Sequence, residues 1–448
     1  MADETNGGIA SAEHWSRSAM WWHVYPLGFT GAPIRDAHGD EVVHRLPRIE
    51  AWLDHVLELG LNGIALGPIF ASSTHGYDTV DHFALDPRLG DDADLDRLIA
   101  AAHERGIRVL LDGVFNHVGR EHPAFAAAHA DANAPEAALF RLGEGGEAEV
   151  FEGHGALVAL DHSSPATAQL VVDAMRHWLE RGIDGWRLDA AYAVPAEFWA
   201  RVLPRVREHH PDAWFLGEVI HGDYAGFATE STIDSLTQYE LWQGIWHAIV
   251  DRNLFELEHA IGRGNELLAG FVPYTFLGNH DVTRIASAVG SELVPHALAV
   301  LCTVAGTPAI YAGDEYGWQA VKEEREGGDD AVRPEFPAEP VAPDDMDASA
   351  RHLLDVHREL LALRRRNPWL TTARTDVVHV ANTAMVLRTA TGEAGVITAL
   401  NLDDEPVTMP AADASSVVAG ECELADGRLT LPPRGWAVLE VRAPGSSA

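Results

Sequence analysis

The chain has 448 residues, of which 47% are hydrophobic, 22% charged and 8% aromatic, a composition that excludes a disordered or collagen-like polymer and provides for a large buried core. It carries 32 Lys and Arg against 68 Asp and Glu, a formal net charge of −36 at pH 7. A surface this anionic repels phosphate backbones and acidic lipid headgroups, which argues against nucleic acid and membrane as partners.

Lys322 is the one lysine, so nearly all positive charge is arginine. The two cysteines, Cys302 and Cys422, are too few for a disulfide framework. The opening stretch MADETNGGIASAEHW carries acids and no apolar core of a secretory signal. No run approaches the roughly 18 apolar residues of a membrane span. A soluble cytoplasmic protein is expected.

In chain order, the first strand pattern is WWHVYP at residues 21–26. Three times thereafter an amphipathic helix pattern ends in Glu-x-Gly followed by Leu or Ile, and an apolar strand pattern follows at once. The motifs are Glu58-Leu59-Gly60-Leu61 before IALGPIF, Glu104-Arg105-Gly106-Ile107 before VLLDGVF, and Glu180-Arg181-Gly182-Ile183 before GWRLDA. Glycine suits the left-handed residue that closes a helix. Apolar strands alternating with helices imply a parallel sheet covered by helices. Further strand patterns at 214–217, 236–239, 274–278 and 309–313 bring the total to eight, which predicts an α/β (β/α)8 TIM barrel. An open doubly wound sheet is the other reading. It is disfavoured because no glycine-rich phosphate loop follows a strand; LGEGGEAE at 142–149 lies in a polar stretch.

The third repeat is about 30 residues longer than the second, and the excess falls after the strand ending near Asn116. A long excursion there lies on the face where barrels carry their active sites. The expected division is a catalytic barrel at 1–117 and 166–368, an inserted subdomain or lid at 118–165, and a C-terminal antiparallel β-sandwich at 369–448. Residues 321–346 read as polar loop, 348–366 as helix, and 377–380, 385–389, 395–400, 428–431 and 437–441 as short strands.

Polar residues at barrel-strand ends are the functional candidates. LLDGVFNH, GWRLDA, FLGEV and FLGNHD each end a strand pattern, and Gly76-Tyr77-Asp78 follows the one ending at Phe70. Singly, each acid reads equally well as a capping or surface residue. Three acids from different strands, with two histidines and an arginine, form a constellation. Arg187 and Asp189 lie two apart on one strand and share a face, where the guanidinium would keep Asp189 ionised as a nucleophile needs; a structural ion pair is the other reading. Apolar surroundings would raise the pKa of Glu218, suiting a general acid. An ionised carboxylate beside a protonated one is the arrangement that cleaves glycosidic bonds.

The ordered set LDGVFNH, GWRLDA, GEV and FLGNHD, with GYD upstream and AIYAGDEYG downstream, resembles the α-amylase family of retaining glycoside hydrolases over residues 21–317. The resemblance implies that Asp189 is the nucleophile, Glu218 the acid and then base, and Asp281 a stabiliser of the transition state. It also implies that His117 and His280 hold sugar hydroxyls, Arg187 orients Asp189, and Tyr77 stacks under the sugar with Asp78 beside it, while Asp112 and Asn116 support the third strand. Arg333 in DDAVRPEFP resembles an arginine after the last barrel strand of cyclomaltodextrinase-like and neopullulanase-like members; a plain surface arginine is the alternative.

The chain departs from the family where many amylases carry Lys-His three and four residues after the nucleophile; Tyr192 and Ala193 stand there. That pair serves leaving-group binding and, in some amylases, a calcium site, so no cofactor or metal is expected here, with a structural calcium at Asn116 the one candidate. Neither an H-E-x-x-H motif nor a Cys/His cluster has zinc spacing. Short α-glucans, maltooligosaccharides or α-glucosides are the expected neutral substrates. A transglycosylase or sugar isomerase of the trehalose synthase kind would use the same intermediate, and a silent sugar-binding barrel is the remaining reading.

Overall fold

The computed structural model describes residues 14–35, 41–143, 147–325, 327–392 and 394–441. The start of the chain, residues 1–13, and Glu144, Gly145 and Gly146 of the LGEGGEAE stretch lie outside the described residues. Each Glu-x-Gly motif closes a helix: Leu53–Leu59 ends at Gly60 (φ 93°), and Asp92–Glu104 and Pro165–Glu180 run into Gly106 (φ 72°) and Gly182 (φ 110°). A Cβ on Gly106 would meet nothing within 4 Å, so the left-handed backbone, and not lack of space, selects glycine there.

Each closed helix returns the chain to a barrel strand. The eight strands are β1 (Trp21–Val24), β2 (Gly63–Leu66), β3 (Arg108–Gly113), β4 (Gly185–Leu188), β5 (Trp214–Gly217), β6 (Ser235–Leu236), β7 (Tyr274–Phe276) and β8 (Thr307–Tyr311). They lie in the order β6-β5-β4-β3-β2-β1-β8-β7, every pair parallel. A parallel bridge from Thr237 to Tyr274 closes the ring. The barrel is therefore the (β/α)8 fold expected. Strand bounds differ from the sequence reading: β1 stops at Val24 and not at 26, and β7 at Phe276 and not at 278. Residues 236–239 are not one strand, because β6 is only Ser235–Leu236 and Tyr239 starts the helix Tyr239–Val250. Strand β8 begins at Thr307 and not at 309, with Pro308 paired in register with Thr275 of β7.

Inside the barrel, Trp21 of β1 stacks on Trp214 of β5 with ring centroids 5.5 Å apart and planes 6° from parallel. Small residues make room for them: a Cβ on Gly63 would fall 2.4 Å from the Trp21 ring, and one on Gly185 2.1 Å from the Trp214 carbonyl. Trp22, one residue on, faces the opposite way and stacks on Trp52 of the helical layer, as strand alternation requires.

After β3 the chain makes an antiparallel pair, His117–Gly119 with Leu157–Ala159, around a helix Pro123–Ala130. Val118, Phe125, Ala128, Phe140, Val158 and Leu160 form a small core of their own there. Residues 321–346 carry only 3-10 turns among the described residues, and the helix Ala348–Arg366 lies where the periodicity put it. The C-terminal part is an antiparallel sandwich of a five-stranded and a three-stranded sheet. It includes Ala414–Gly420, a strand of mixed Ala, Ser and Val that gave no alternating signal. No helix among the described residues is long and apolar enough to cross a membrane.

Candidate active site

Strand ends bring the carboxylates together. Asp189 follows β4, Glu218 follows β5, and Asp112 lies in β3; all three are buried. One guanidinium joins them. Arg187 contacts Asp112 Oδ2 through Nη1, lies 3.4 Å from Asp189 Oδ1, and reaches Glu218 Oε1 with Nη2 at 2.7 Å. Glu218 is not in apolar surroundings as expected. Its Oε2 accepts the Ala190 N–H at 2.9 Å, and its Oε1 also accepts from the Tyr239 hydroxyl at 3.2 Å, which in turn accepts from Asn279 Nδ2 at 2.9 Å. To aim its N–H this way, Ala190 adopts a left-handed backbone, φ 44° and ψ 38°, a conformation that strains a residue bearing a Cβ.

The electrostatics also differ from the sequence reading of Asp189. Arg187 pulls its pKa down, but burial and then the neighbouring Glu218 push it well above the ordinary carboxyl range. Burial likewise raises Asp112 to about 7 against the pull of Arg187. Burial of Asp112 and Asp189 beside a single shared cation thus favours retention of a proton on this pair.

Asp281, after β7, faces this cluster and is held by Arg333. Nη2 of Arg333 lies 2.7 Å from Asp281 Oδ1 and 3.1 Å from Asp329, and its Nε donates to the His280 carbonyl at 2.8 Å. Arg333 is buried over the Tyr25 ring and is no surface residue. His280 sits between Tyr25 and Tyr77 in near-parallel stacks of 5.7 and 5.5 Å. Its Nε2 lies 3.1 Å from Asp281 Oδ2 and also bonds the Tyr77 hydroxyl, while Nδ1 is 3.2 Å from His23 Nε2. Burial, then the Arg333 charge, holds His280 well below the ordinary histidine range, so the ring is neutral.

Tyr77 occupies the turn between the paired strands Phe70–Ser72 and Thr79–Leu85 and donates its hydroxyl to Asp112 at 3.0 Å. His117 has both ring nitrogens engaged: Nδ1 accepts from Asn116 at 3.1 Å and Nε2 donates to the Tyr77 carbonyl at 3.0 Å. It is also neutral, pulled down to about 3 by burial. Asp78 departs from the substrate-facing position expected of it. Its two oxygens accept the N–H and hydroxyl of Thr74 at 3.0 and 2.6 Å, so it folds the loop that presents Tyr77.

Several residues at the site escaped the sequence reading. His23 is one; a histidine two residues after Trp21 on an apolar strand was its signal, since both must face the barrel interior. Tyr239 was hidden at the strand-to-helix switch. Phe151 and Glu152, from the stretch after β3, had no signal: Phe151 stacks on His117 at 4.9 Å, and Glu152, at φ 46°, accepts from the Tyr192 hydroxyl at 2.8 Å. Asn116 uses its amide nitrogen on His117. Groups of three side chains able to hold an ion occur, among the described residues, at His44, Asp91 and Asp94 and at His247, Asp251 and Glu256, and include none of the site residues.

The profile of the α-amylase catalytic domain matches residues 35–373. The chain belongs to the α-amylase family. A cyclomaltodextrinase of Bacillus sp is 34% identical over 336 residues, covering 68% of this chain and 60% of that protein. Neopullulanase 2 of Thermoactinomyces vulgaris is 30% identical over 405 residues, 81% of this chain and 65% of its own. The chain thus spans 60 to 65% of the length of these curated relatives. Among solved structures, the cyclic α-maltosyl-(1→6)-maltose hydrolase of Arthrobacter globiformis in complex with that sugar superposes with a TM-score of 0.82 at 25% identity, covering 97% of this chain and 100% of that one.

Proposed function

We propose that the protein is a retaining α-glycosidase that hydrolyses short α-linked glucose oligomers, cyclic ones included, by double displacement. The observation that carries the reading is the single guanidinium of Arg187 in contact with both Asp189 and Glu218. Two carboxyls within the span of one planar cation suit the roughly 5 to 5.5 Å separation of a retaining pair, which is too close for an intervening water.

In this reading Asp189 attacks the anomeric carbon as Glu218 gives its proton to the departing glycosidic oxygen. The bond to the leaving sugar breaks and a covalent glycosyl ester forms on Asp189. Glu218, now ionised, takes a proton from water, whose oxygen attacks the same carbon and frees Asp189. In this reading the developing positive charge on the sugar ring favours the ionised form of Asp189. Asp281, fixed by Arg333, accepts from sugar hydroxyls and steadies the flattened ring, while neutral His280 holds Asp281 and the Tyr77 hydroxyl in place through Nε2 and Tyr77 offers a face to the sugar. The chemistry uses carboxyls alone, so chelators leave turnover intact. The cytoplasm is the proposed compartment: Cys302 is a buried free thiol and Cys422 a half-buried one, which suits a reducing medium.

A panel of maltotriose, cyclodextrin, pullulan and starch, followed by proton NMR, tests the reading. The α-anomer appears first if it is right, and Asp189→Asn abolishes turnover. Release of the β-anomer, or substantial hydrolysis by the Asp189→Asn protein, defeats it. Disproportionation of maltose without net hydrolysis selects the transglycosylase, and calorimetric binding without turnover the silent barrel.

A further inference from the structure

The end of the barrel away from the carboxylates holds a hollow lined by arginines. Met20, Asn62 and Gly106 immediately precede or closely approach the starts of β1, β2 and β3, and with Pro308 of β8 they border a cavity of ≈ 310 Å³. Its charged lining is Arg105, Arg364 and Arg365. An adjoining hollow of ≈ 340 Å³ shares Ser18, Pro368 and Thr371 with it and adds His14 and Arg17. Neither lining contains an aspartate or glutamate. In a chain with 68 acids against 32 bases, that segregation of charge is unusual.

Arg364 has the most telling environment. Its side chain is buried, and its guanidinium donates to the carbonyls of Cys302, Val304 and Gly306 with no carboxylate partner among the described residues. The carbonyls satisfy its donors but bring only partial charges, and a buried full charge without a counter-ion is costly. Burial lowers its pKa to about 10. Arg365 is exposed and donates to the Leu61 carbonyl at 3.5 Å, also without an ion pair among the described residues. Arg105 pairs with the exposed Asp54 at 2.7 Å, at the rim.

We propose that this hollow binds a small, multiply charged oxyanion, a phosphate-bearing molecule. Guanidinium forks match phosphate oxygens in geometry as well as charge. The anionic surface elsewhere does not forbid this, because charges beyond about 8 Å are screened at physiological ionic strength. The volume falls within the range of small-molecule sites, roughly 300 to 1,000 Å³. The site lies at the opposite end of the strands from Asp189 and Glu218, so it is independent of the glycosidase reading, and phosphate and oligosaccharide bind without competing.

Calorimetric titration of inorganic phosphate into the full chain, with ionic strength held constant by chloride, tests the site. One phosphate binds per chain, about tenfold more weakly in the Arg105→Gln/Arg365→Gln protein and unchanged in Asp189→Asn. Heat no greater than that of the chloride control, or a double variant that binds like the wild type, overturns the proposal. A second measurement needs no variant: phenylglyoxal modification of Arg365, mapped by mass spectrometry on the wild-type protein, slows about tenfold in saturating phosphate. An unchanged modification rate counts equally against it.

Discussion

Arg187 Nη2 lies 2.7 Å from Glu218 Oε1, whereas its Nη1 is 3.4 Å from Asp189 Oδ1. The cation leans toward the proposed acid/base and toward Asp112, and holds the proposed nucleophile more loosely. A lysine would keep the charge but could not fork across three carboxyls. Arg187→Lys is therefore expected to lower kcat about 100-fold or more with the fold intact by circular dichroism. Retention of most of the wild-type kcat would remove Arg187 from the machinery.

The raised pKa of Asp112 has a consequence for stability. Its ordinary value is 3.8 and its folded value about 7. Between those values the native state holds the proton that the unfolded chain has released, so this residue makes stability fall as pH rises from about 4 to about 7. Asp112→Asn removes that slope. The thermal midpoint of the variant minus that of the wild type should grow across this window, and a constant difference would show that Asp112 titrates normally.

Ala190 sits in left-handed backbone at φ 44°, where a Cβ costs about 1 to 2 kcal/mol. Ala190→Gly removes that strain at some cost in chain entropy, for a net gain of about 0.5 kcal/mol. Calorimetry should give a slightly higher unfolding temperature and a Glu218-dependent activity that persists, because the N–H to Oε2 bond is a backbone one. A lower unfolding temperature would mean the local strain is already relieved.

Glu152 and Tyr192 link the stretch after β3 to the residue three positions beyond Asp189. Cutting the link with Glu152→Ala frees the Tyr192 ring near the site mouth. KM for a hexasaccharide should rise about five- to tenfold with kcat little changed, and KM for maltotriose should move less, since uniform binding is what is lost. Equal effects on both substrates would place the link outside the binding wall.

Much of this was readable beforehand. The Glu-x-Gly motifs located three helix ends because only the left-handed residue of a cap demands glycine at that spacing. The placement of Asp189, Glu218 and Asp281 just beyond barrel strands was readable because carboxylates at the ends of apolar strands are conspicuous. What stayed hidden depended on long-range packing. Tyr239 reaches Glu218 only because β6 stops at Leu236 and the chain turns into a helix. Asp78 looked like a ligand beside Tyr77 until Thr74 claimed both its oxygens. The direction of the Asp189 shift depended on how three carboxyls from three strands share one arginine, which no local pattern encodes.

The stacked rings of Trp21 and Trp214 give the barrel a floor. Two indoles pressed face to face put a rigid apolar layer beneath the carboxylates, on the side away from the strand ends that carry them. In the proposed mechanism, water approaching a glycosyl ester on Asp189 from the strand-end side would share its way in with the departing sugar. Phe151 and Tyr192 would then line that shared way, and under the proposed mechanism their spacing would bias the choice between water and a second sugar as acceptor.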